Sequence, residues 1–299
     1  MRVLLSENFR AVFYGPFYAT HALGFYTSEG VEVELLNSPA PAAAAAGLLD
    51  GSIDVAWGGP MRVMKARDQD PNSPLTCFCE VAGRDPFYLV GKPDPKDDPS
   101  TFRLADLARL KLGSVSEVAT PWLCLQHDLR LAGVDPERLD RVADRTMAQN
   151  LAALRQGELD VAQMFEPYAS MAVQSGMGNI LYAAASRGPT CYTTFLASRD
   201  SIRRNRAAFE AMTRAISRTR LWVADHSADE LAEAVAPFYP NVPRESLSSA
   251  YRRYKDAELW SRTPEISRQG FVRLADSLKS GGFISRDHRY EDCVETSLT

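Results

Sequence analysis

Hydrophobic and polar positions along the first 60 residues alternate between a pattern typical of strands and one typical of helices. Residues 2–6, RVLLS, form a short apolar run of the kind that a buried strand shows, and residues 31–36, VEVELL, begin with strand-like alternation. Between them, Gly15-Pro16 opens a helical pattern that ends at Gly30. An alanine-rich helical stretch then leads to a third strand, IDVAWGG. This order of elements predicts parallel βαβ units.

The same order of patterns returns in the middle of the chain. A helix at 60–68 leads to a long predicted strand region, LTCFCEVAGRDPFYLVG, and residues 92–100, KPDPKDDPS, indicate an exposed loop because they are dense in proline and charge. The pattern then restarts with a strand at KLGSVS, a helix over about 119–132, a strand near RVADRT, the helix MAQNLAALRQG and the strand LDVAQMF. Two further strands, ILYAAA and CYTTFLAS, precede long amphipathic helices that begin at Ser201.

One segment of the chain occurs twice. LLDGSIDVAWGG and LRQGELDVAQM share the frame Leu-x-x-Gly-x-(Ile/Leu)-Asp-Val-Ala, with Asp54 and Asp160 at the equivalent position. In each copy a helix ends at a glycine, for which we expect a left-handed conformation, and a buried strand follows at once. We expect both aspartates to hold the turn at the strand entry rather than to act in catalysis. Because ligands bind at the carboxyl ends of strands in open α/β sheets, the residues after each copy are the candidate functional residues.

Composition and charge narrow the function classes. The chain has 299 residues, 45% of them hydrophobic and 24% charged, and its formal net charge of −4 gives no support for a nucleic-acid partner. No stretch approaches the ~20 apolar residues of a membrane helix. The first ten residues lack the apolar run of at least ~7 residues that an export signal needs, so we expect either a cytoplasmic protein or a mature form whose signal was removed. Five cysteines without framework spacing argue against a disulfide scaffold.

Four segments, in order along the chain, resemble a known family. They are HALGFYTSEGVEVEL, LLDGSIDVAWGG, DLARLKLGSVSEVATPWLCLQHDLRLAGVDPERL and LRQGELDVAQMFEPYAS. These segments are similar to the two-lobed solute-binding proteins of ABC importers for sulfonates, taurine, nitrate and pyrimidines. Thiamine-pyrimidine synthases and desulfinases share that fold.

The resemblance implies an α/β, two-lobed type II periplasmic-binding-protein fold with a ligand cleft between the lobes. Lobe one would comprise residues 1–90 plus 190–299, lobe two would comprise residues 91–189, and strands near 88–94 and 186–192 would form the hinge. The implied partners are a small-molecule ligand and an ABC permease, and we expect no nucleic acid, membrane insertion, cofactor or metal. Localisation would be periplasmic if a signal was removed and cytoplasmic if Met1 is the native start.

Candidate ligand contacts in lobe one follow its strands. Tyr14 and Tyr18 could offer a flat apolar surface to a ring, or could belong to the core. Gly58 and Gly59 could let a ligand approach backbone N–H groups, or could simply form a tight turn. The full set of lobe-one candidates is Asn8, Tyr14, Tyr18, Trp57, Gly58, Gly59 and Tyr192.

Candidate contacts in lobe two lie near a predicted helix N-terminus and at the end of a strand. Ser114, Ser116 and Thr120 surround the helix N-terminus, where they could bind an anion or could serve as N-caps. Glu117 in the same turn would repel an anion. Glu166 follows a buried strand and could accept hydrogen bonds from an amino group or a protonated ring nitrogen.

A salt bridge between the lobes, with Arg10 or Arg62 as the partner, is the alternative role for Glu166. Aromatic side chains together with one acid favour an amino-pyrimidine-like ligand over a small anion.

Catalysis is the alternative function that the resemblance raises. Thiamine-pyrimidine synthases carry a lysine and a histidine just past the first repeated block, where this chain has Gly58 and Arg62. Cys77 and Cys79 alternate along a strand, so we expect both to point to one face as core thiols. The sequence therefore favours a non-catalytic binding protein. The alternative is a cytoplasmic enzyme on the same fold, such as a decarboxylase, a desulfinase or a pyrimidine synthase.

Overall fold

Ten strands and twelve α-helices are found in the computed structural model, which describes residues 1–38, 43–92 and 101–299. The predicted loop at 92–100 lies, apart from Lys92, outside the described residues. The strands are β1 (Arg2–Ser6), β2 (Glu32–Leu36), β3 (Val55–Gly58), β4 (Leu75–Ala82), β5 (Tyr88–Gly91), β6 (Leu112–Gly113), β7 (Arg141–Val142), β8 (Val161–Met164), β9 (Asn179–Ala183) and β10 (Thr193–Ser198).

The helices range from one turn to seven turns in length. They are α1 (Gly15–Ala22), α2 (Phe25–Ser28), α3 (Ala43–Asp50), α4 (Met61–Gln69), α5 (Thr120–Leu131), α6 (Met147–Gln156), α7 (Tyr168–Gln174), α8 (Arg199–Asp225), α9 (Ala228–Val235), α10 (Arg244–Asp256), α11 (Arg268–Ser280) and α12 (Tyr290–Cys293). Short 3₁₀ helices lie at Val12–Tyr14, Leu104–Arg109, Pro136–Arg138, Ala184–Arg187 and Ala236–Phe238.

The chain divides into two units. Unit 1 comprises Met1–Asp85, Gly188–Ala275 and Ile284–Thr299, and unit 2 comprises Pro86–Arg187 and Asp276–Phe283. The sequence placed the boundaries near residues 90 and 190 and assigned 276–283 to lobe one.

Unit 1 contains a five-stranded sheet in the order β2-β1-β3-β10-β4. β1 pairs in parallel with both β2 and β3, whereas β10 runs antiparallel to β3 and β4. A buried aromatic cluster covers one face: Phe17 stacks on Trp57 at 4.7 Å between ring centroids, and Phe195 meets Phe17 edge to face at 5.2 Å. Large aromatic side chains of this kind dominate the burial of apolar area that stabilises a core.

Unit 2 contains a second five-stranded sheet, in the order β7-β6-β8-β5-β9. β6 pairs in parallel with β7 and β8, and β5 runs antiparallel to β8 and β9. Strand for strand, this is the arrangement of unit 1. Its core consists of buried aliphatic side chains from both sheet and helices, namely Leu89, Leu107, Leu112, Leu125, Leu129 and Val161.

Three predicted elements differ from the structure. The first helical pattern is interrupted at Gly24, whose φ of 68° ends α1 before α2 begins. The long predicted strand region is two strands, β4 and β5, which belong to different sheets. Of the predicted hinge strands, residues 88–91 form β5 of the unit 2 sheet, and residues 188–192 contain no strand.

The thiols of Cys77 and Cys79 do not share one face of β4, although the sequence predicted that they would. All five cysteines are free and buried, as core thiols should be. However, Cys79 has a φ of 53° at a bulge in β4, so the strand's alternation is broken there. The Cys77 Sγ donates to the Cys293 carbonyl, whereas the Cys79 Sγ accepts from Arg220. The prediction that Cys77 and Cys79 face the same side is therefore wrong.

The repeated segment performs the same structural task in both units. The glycine before each strand, Gly51 or Gly157, has a positive φ of 78° or 74°. The Asp54 Oδ2 accepts a hydrogen bond from the Leu4 N–H at 2.9 Å, and the Asp160 Oδ2 accepts one from the Lys111 N–H at 2.8 Å. Each aspartate therefore binds the backbone of the neighbouring parallel strand or its entry, which is a structural role.

We expect Asp54→Ala and Asp160→Ala each to lower the free energy of unfolding by about 1–3 kcal/mol, because each leaves a backbone N–H without its charged acceptor. Urea denaturation measures the change. Glu158→Ala is the matched control, since Glu158 forms only an exposed ion pair with Arg145, which contributes about 0–1 kcal/mol. Equal effects of all three substitutions would contradict the assigned role of the aspartates.

Candidate functional site

The carboxyl ends of β1 and β3 bring two sequence-distant regions of unit 1 together, residues 7–14 and residues 57–62. These strands are parallel neighbours, so the residues that follow Ser6 and the residues that end β3 lie at the same edge of the sheet. The 3₁₀ helix Val12–Tyr14 and the first turn of α4 complete this edge. We call the group formed by Asn8, Tyr14, Trp57, Gly58 and Arg62 the unit 1 edge cluster.

Tyr14 connects two members of the cluster. The Asn8 Nδ2 donates to the Tyr14 Oη at 3.2 Å, and the Tyr14 ring lies 5.9 Å from the Trp57 ring between centroids. All three side chains are buried, and burial raises the pKa of Tyr14. The Asn8 Oδ1 and the Trp57 Nε1 nevertheless have no hydrogen-bond partner among the described residues. A buried acceptor and a buried donor thus remain available to a bound molecule.

Gly58 leaves room between Asn8 and Arg62. A Cβ at this position would lie 3.7 Å from the Asn8 Cγ, 3.8 Å from the Arg62 Nε and 3.2 Å from the Leu196 side chain. At Gly59 a Cβ would lie 3.4 Å from the Tyr192 carbonyl oxygen. Neither glycine has a left-handed φ, so a tight turn does not demand them. The limited space beside the cluster favours the absence of a side chain.

Arg62 is the cluster member whose importance the sequence did not reveal. Its guanidinium forms no ion pair within the described ranges, and its Nε, which is buried, has no hydrogen-bond partner there. Burial lowers the pKa of Arg62, and only the Tyr14 hydroxyl opposes this effect. Arg62 is half-buried, and a charge partly removed from water without a partner is costly, so this guanidinium is suited to an acceptor supplied by a ligand. Its position four residues after Gly58, in the first turn of a helix, is the signal that could have identified it.

Tyr18 lies in a neighbouring cluster whose polar groups are satisfied. Its Oη donates to the Glu7 Oε2 at 2.5 Å, and the Arg10 Nη2 lies 3.0 Å from the Glu7 Oε1. Tyr18 is fully buried, so its direct contact with a ligand stays a prediction. Tyr192, also buried, packs edge to face on Phe13 at 6.0 Å between centroids, beside Gly59.

At the corresponding edge of unit 2, Ser114 already has hydrogen-bond partners, although the buried Asn150 Oδ1 and Gln163 Oε1 have none among the described residues. The Arg141 Nη1 donates to the Ser114 Oγ at 2.9 Å, and the Asn150 Nδ2 donates to the Ser114 carbonyl at 3.0 Å. Ser116 is exposed and donates its N–H to the Arg145 carbonyl. Neither serine caps α5, because the N-cap is Ala119.

Thr120 and Glu117 flank the start of α5 with different roles. Thr120 is the buried first residue of the helix, which has no side-chain cap. The Glu117 Oε1 accepts from the Met147 N–H at 3.0 Å and so occupies the N-terminus of α6. A carboxylate is favourable at that position, which gives Glu117 a structural partner besides any ligand.

Glu166 also has a structural partner. It is fully buried, follows β8 and precedes a cis peptide bond to Pro167. Its Oε2 accepts from the Ser170 N–H at 2.9 Å in the first turn of α7. Arg10, one of the two arginines named as alternative partners, pairs with Glu7 instead. The contact of Glu166 with a ligand stays a prediction.

Membrane-spanning helices and metal-binding clusters are both absent from residues 1–38, 43–92 and 101–299. No helix in these ranges combines the length and hydrophobicity needed to cross a bilayer. Within the same residues, no group of three or more histidine, cysteine, aspartate or glutamate side chains has the arrangement of a metal site. The unit 1 edge cluster is the candidate site in which unpartnered atoms of three members, the Asn8 Oδ1, the Trp57 Nε1 and the Arg62 Nε, occur together.

Comparison with solved structures confirms the predicted α/β periplasmic-binding-protein fold. The periplasmic aliphatic sulphonate binding protein SsuA from Escherichia coli matches with a TM-score of 0.75 and 17% identity, over 100% of this chain and 98% of that protein. The ligand-binding component of an ABC-type import system from Staphylococcus aureus, solved with zinc bound, matches with a TM-score of 0.74 and 15% identity, over 100% and 97%.

Sequence comparison gives the family. Residues 10–236 match the model of the NMT1-like family, and the chain belongs to that family. It is 22% identical to "Putative binding protein YtlA" of Bacillus subtilis strain 168 over 300 aligned residues, which cover 99% of this chain and 88% of YtlA. The predicted resemblance to solute-binding proteins of ABC importers is confirmed by these relatives.

We expect Arg62→Met to leave the ligand-free protein equally stable or to stabilise it, because replacing a half-buried charge that has no ion-pair partner by an apolar side chain removes a desolvation penalty. Arg67→Met on the same helix is the control. The Arg67 Nη1 donates to the Ser73 carbonyl at 2.8 Å, so its loss should lower stability by about 1–3 kcal/mol. Urea denaturation of both variants checks this expectation. A loss at Arg62 as large as that at Arg67 would show that Arg62 holds the fold.

Proposed function

We propose that this protein is the solute-binding component of an ABC-type importer and that it binds a small, polar, ring-bearing molecule. The unit 1 edge cluster carries the proposal, because it combines an unpartnered acceptor on Asn8 with unpartnered donors on Trp57 and Arg62. Such a set of convergent polar groups in a mostly apolar surrounding is typical of a small-molecule site. The proposed partner is the importer's permease, which implies a periplasmic location.

The family and the solved relatives support the transport role. The Escherichia coli protein is an aliphatic sulphonate binding protein, and the Staphylococcus aureus protein belongs to an ABC-type import system. YtlA carries the description of a binding protein. We propose the importer role for this chain because of that likeness. We propose the class of ligand from the chemistry of the chain's own residues.

The hydrogen-bonding pattern of the cluster favours an amino-heteroaromatic ring. An amino-pyrimidine presents an N–H donor beside a ring-nitrogen acceptor, which complements the Asn8 Oδ1 on one side and an N–H of Trp57 or Arg62 on the other. Phe9, which contacts the Tyr14 ring edge to face at 5.5 Å, adds an apolar surface next to Asn8. The proposal also includes Glu166, which the sequence predicts as an acceptor for the ligand's amino group.

We expect calorimetric titration to detect binding of 4-aminopyrimidine or cytosine, and weaker binding of ethanesulfonate, which has a charge but no ring. Arg62→Met should weaken binding of the ring compounds about tenfold or more, because a hydrogen bond from a charged group contributes about 1.5–3 kcal/mol. Arg2→Met, an exposed arginine at the start of β1, is the control and should leave affinity unchanged. Tight ethanesulfonate binding without ring binding would reject the proposed ligand class while leaving the importer role open.

Glu166→Gln tests the predicted contact in unit 2. Glutamine keeps the shape and an acceptor for the Ser170 N–H, so the melting temperature should change little. If the carboxylate accepts a ligand amino group, affinity for 4-aminopyrimidine should fall about tenfold, since charge-assisted hydrogen bonds are roughly twice as strong as neutral ones. Unchanged affinity for every amino-heteroaromatic that the wild type binds would remove Glu166 from the site.

A further inference from the structure

A cavity in unit 1 shares no residue with the unit 1 edge cluster. Its volume is about 460 Å³, within the range of small-molecule pockets. Residues of α8, of the end of α10 and of the segment that follows α10 line it, together with Pro16 of α1 and Val81 of β4.

Arg220 provides a buried positive charge in the lining of this cavity. Its residue exposure is 8%, and its Nε has no hydrogen-bond partner among the described residues. The Nη2 donates to the Glu80 backbone carbonyl and lies near the Cys79 Sγ, and the Nη1 lies 3.5 Å from the Ser217 Oγ. These acceptors are neutral. The Glu80 carboxylate accepts from the Ser261 Oγ instead, so the guanidinium has no direct ion pair.

The other charged groups of the lining leave the cavity with an excess of positive charge. The Lys255 Nζ donates to the Val223 carbonyl at 2.6 Å and to the His226 carbonyl, both of which are neutral acceptors. Glu258 is the one acid in the lining, and it pairs with both Arg84 and Arg262. Neither Arg220 nor Lys255 forms a direct ion pair among the described residues, although Glu80 lies close enough to Arg220, and Glu230 to Lys255, for an electrostatic interaction. An anion is the group that would compensate them.

Apolar side chains form the remainder of the cavity and extend to its rim. Trp260, Tyr254 and Val81 contribute buried or half-buried apolar surface. Leu221, also in the lining, exposes 68% of its surface, which makes it one of the most exposed large hydrophobic residues described. An apolar ligand body placed against Leu221 would remove that surface from water.

We infer that this cavity is a second binding site, which takes a small anion with an apolar body, such as a medium-chain monocarboxylate. The carboxylate would bind the Arg220 guanidinium, and the hydrocarbon would lie along Trp260 toward Leu221. A guanidinium binds a carboxylate through two parallel hydrogen bonds, and its unpartnered Nε–H can provide one of them. The site does not depend on the proposed transport ligand, because the edge cluster contributes nothing to it.

Titration of the full chain with sodium octanoate, followed by calorimetry and by thermal shift, tests this inference. Octan-1-ol carries the same hydrocarbon without the charge, and we expect it to bind at least tenfold more weakly. Arg220→Met should weaken octanoate binding at least tenfold, and Arg220→Lys, which keeps the charge without the planar fork, should fall between wild type and methionine.

Two surface substitutions keep the test decisive if the Arg220 variants fold poorly. Leu221→Glu places a negative charge at the rim without disturbing the core, and it should weaken octanoate binding several-fold. Leu131→Glu, at a leucine of unit 2 that is 76% exposed, is the matched control and should have no effect. Arg62→Met should also leave octanoate binding unchanged.

Three outcomes would overturn the inference: no octanoate binding below its solubility limit, equal binding of octan-1-ol, or loss of octanoate binding in Arg62→Met with retention in Arg220→Met. The last outcome would place octanoate in the edge cluster. Failure of octanoate to bind while 4-aminopyrimidine still depends on Arg62 would reject the second site and retain the proposed function.

Discussion

The hydrogen bond from a strand backbone N–H to the aspartate of the neighbouring parallel strand is the interaction on which both candidate edges depend. Asp54 fixes β3 against β1 and Asp160 fixes β8 beside the entry to β6. A one-residue slip in either pair would turn every side chain of the strand to the opposite face. The chain uses the same short segment twice because both units need the same register at the same place.

The pairing register at the start of a strand determines which side chains lie at its carboxyl end. With β3 held against β1, Trp57 points into the aromatic core and Gly58 faces Asn8 and Arg62. The stacked pair of Trp57 and Phe17 then fixes the position of an indole whose N–H has no partner. The unit 1 edge cluster is therefore preorganised by core packing, and a ligand would not have to order it.

Local patterns predicted much of the fold, and tertiary contacts explain the rest. The positive φ of Gly51 and Gly157 and the parallel strands after them follow from short-range rules. Local signals were also present at two places where the prediction differs from the structure. Gly24 lies where the first helical pattern breaks, and Pro86 lies where the long strand region divides, but the continuous apolar pattern predicted an unbroken element at both places. The bulge at Cys79 had no such signal. It places Arg220 beside the strand backbone, a contact between residues 140 positions apart.

The candidate site was harder to predict than the fold, because the availability of a polar group depends on its partners. Asn8, Tyr14, Trp57 and Gly58 could be chosen by their position after strands, and the structure brings them together. Ser114 has the same kind of position, yet Arg141 and Asn150 already occupy it. Sequence position alone does not distinguish these two situations.

Three arginines of unit 1 show how the difference between a paired and an unpaired polar group helps to identify a candidate site. Arg10 is paired with Glu7, so its charge serves the fold. Arg220 is bonded to neutral acceptors, and Arg62 to none that the structure describes. A guanidinium that is partly removed from water without an acceptor is costly to the fold. Arg62, which is half-buried and has no described acceptor, is therefore the arginine on which the proposed ligand contact depends most directly.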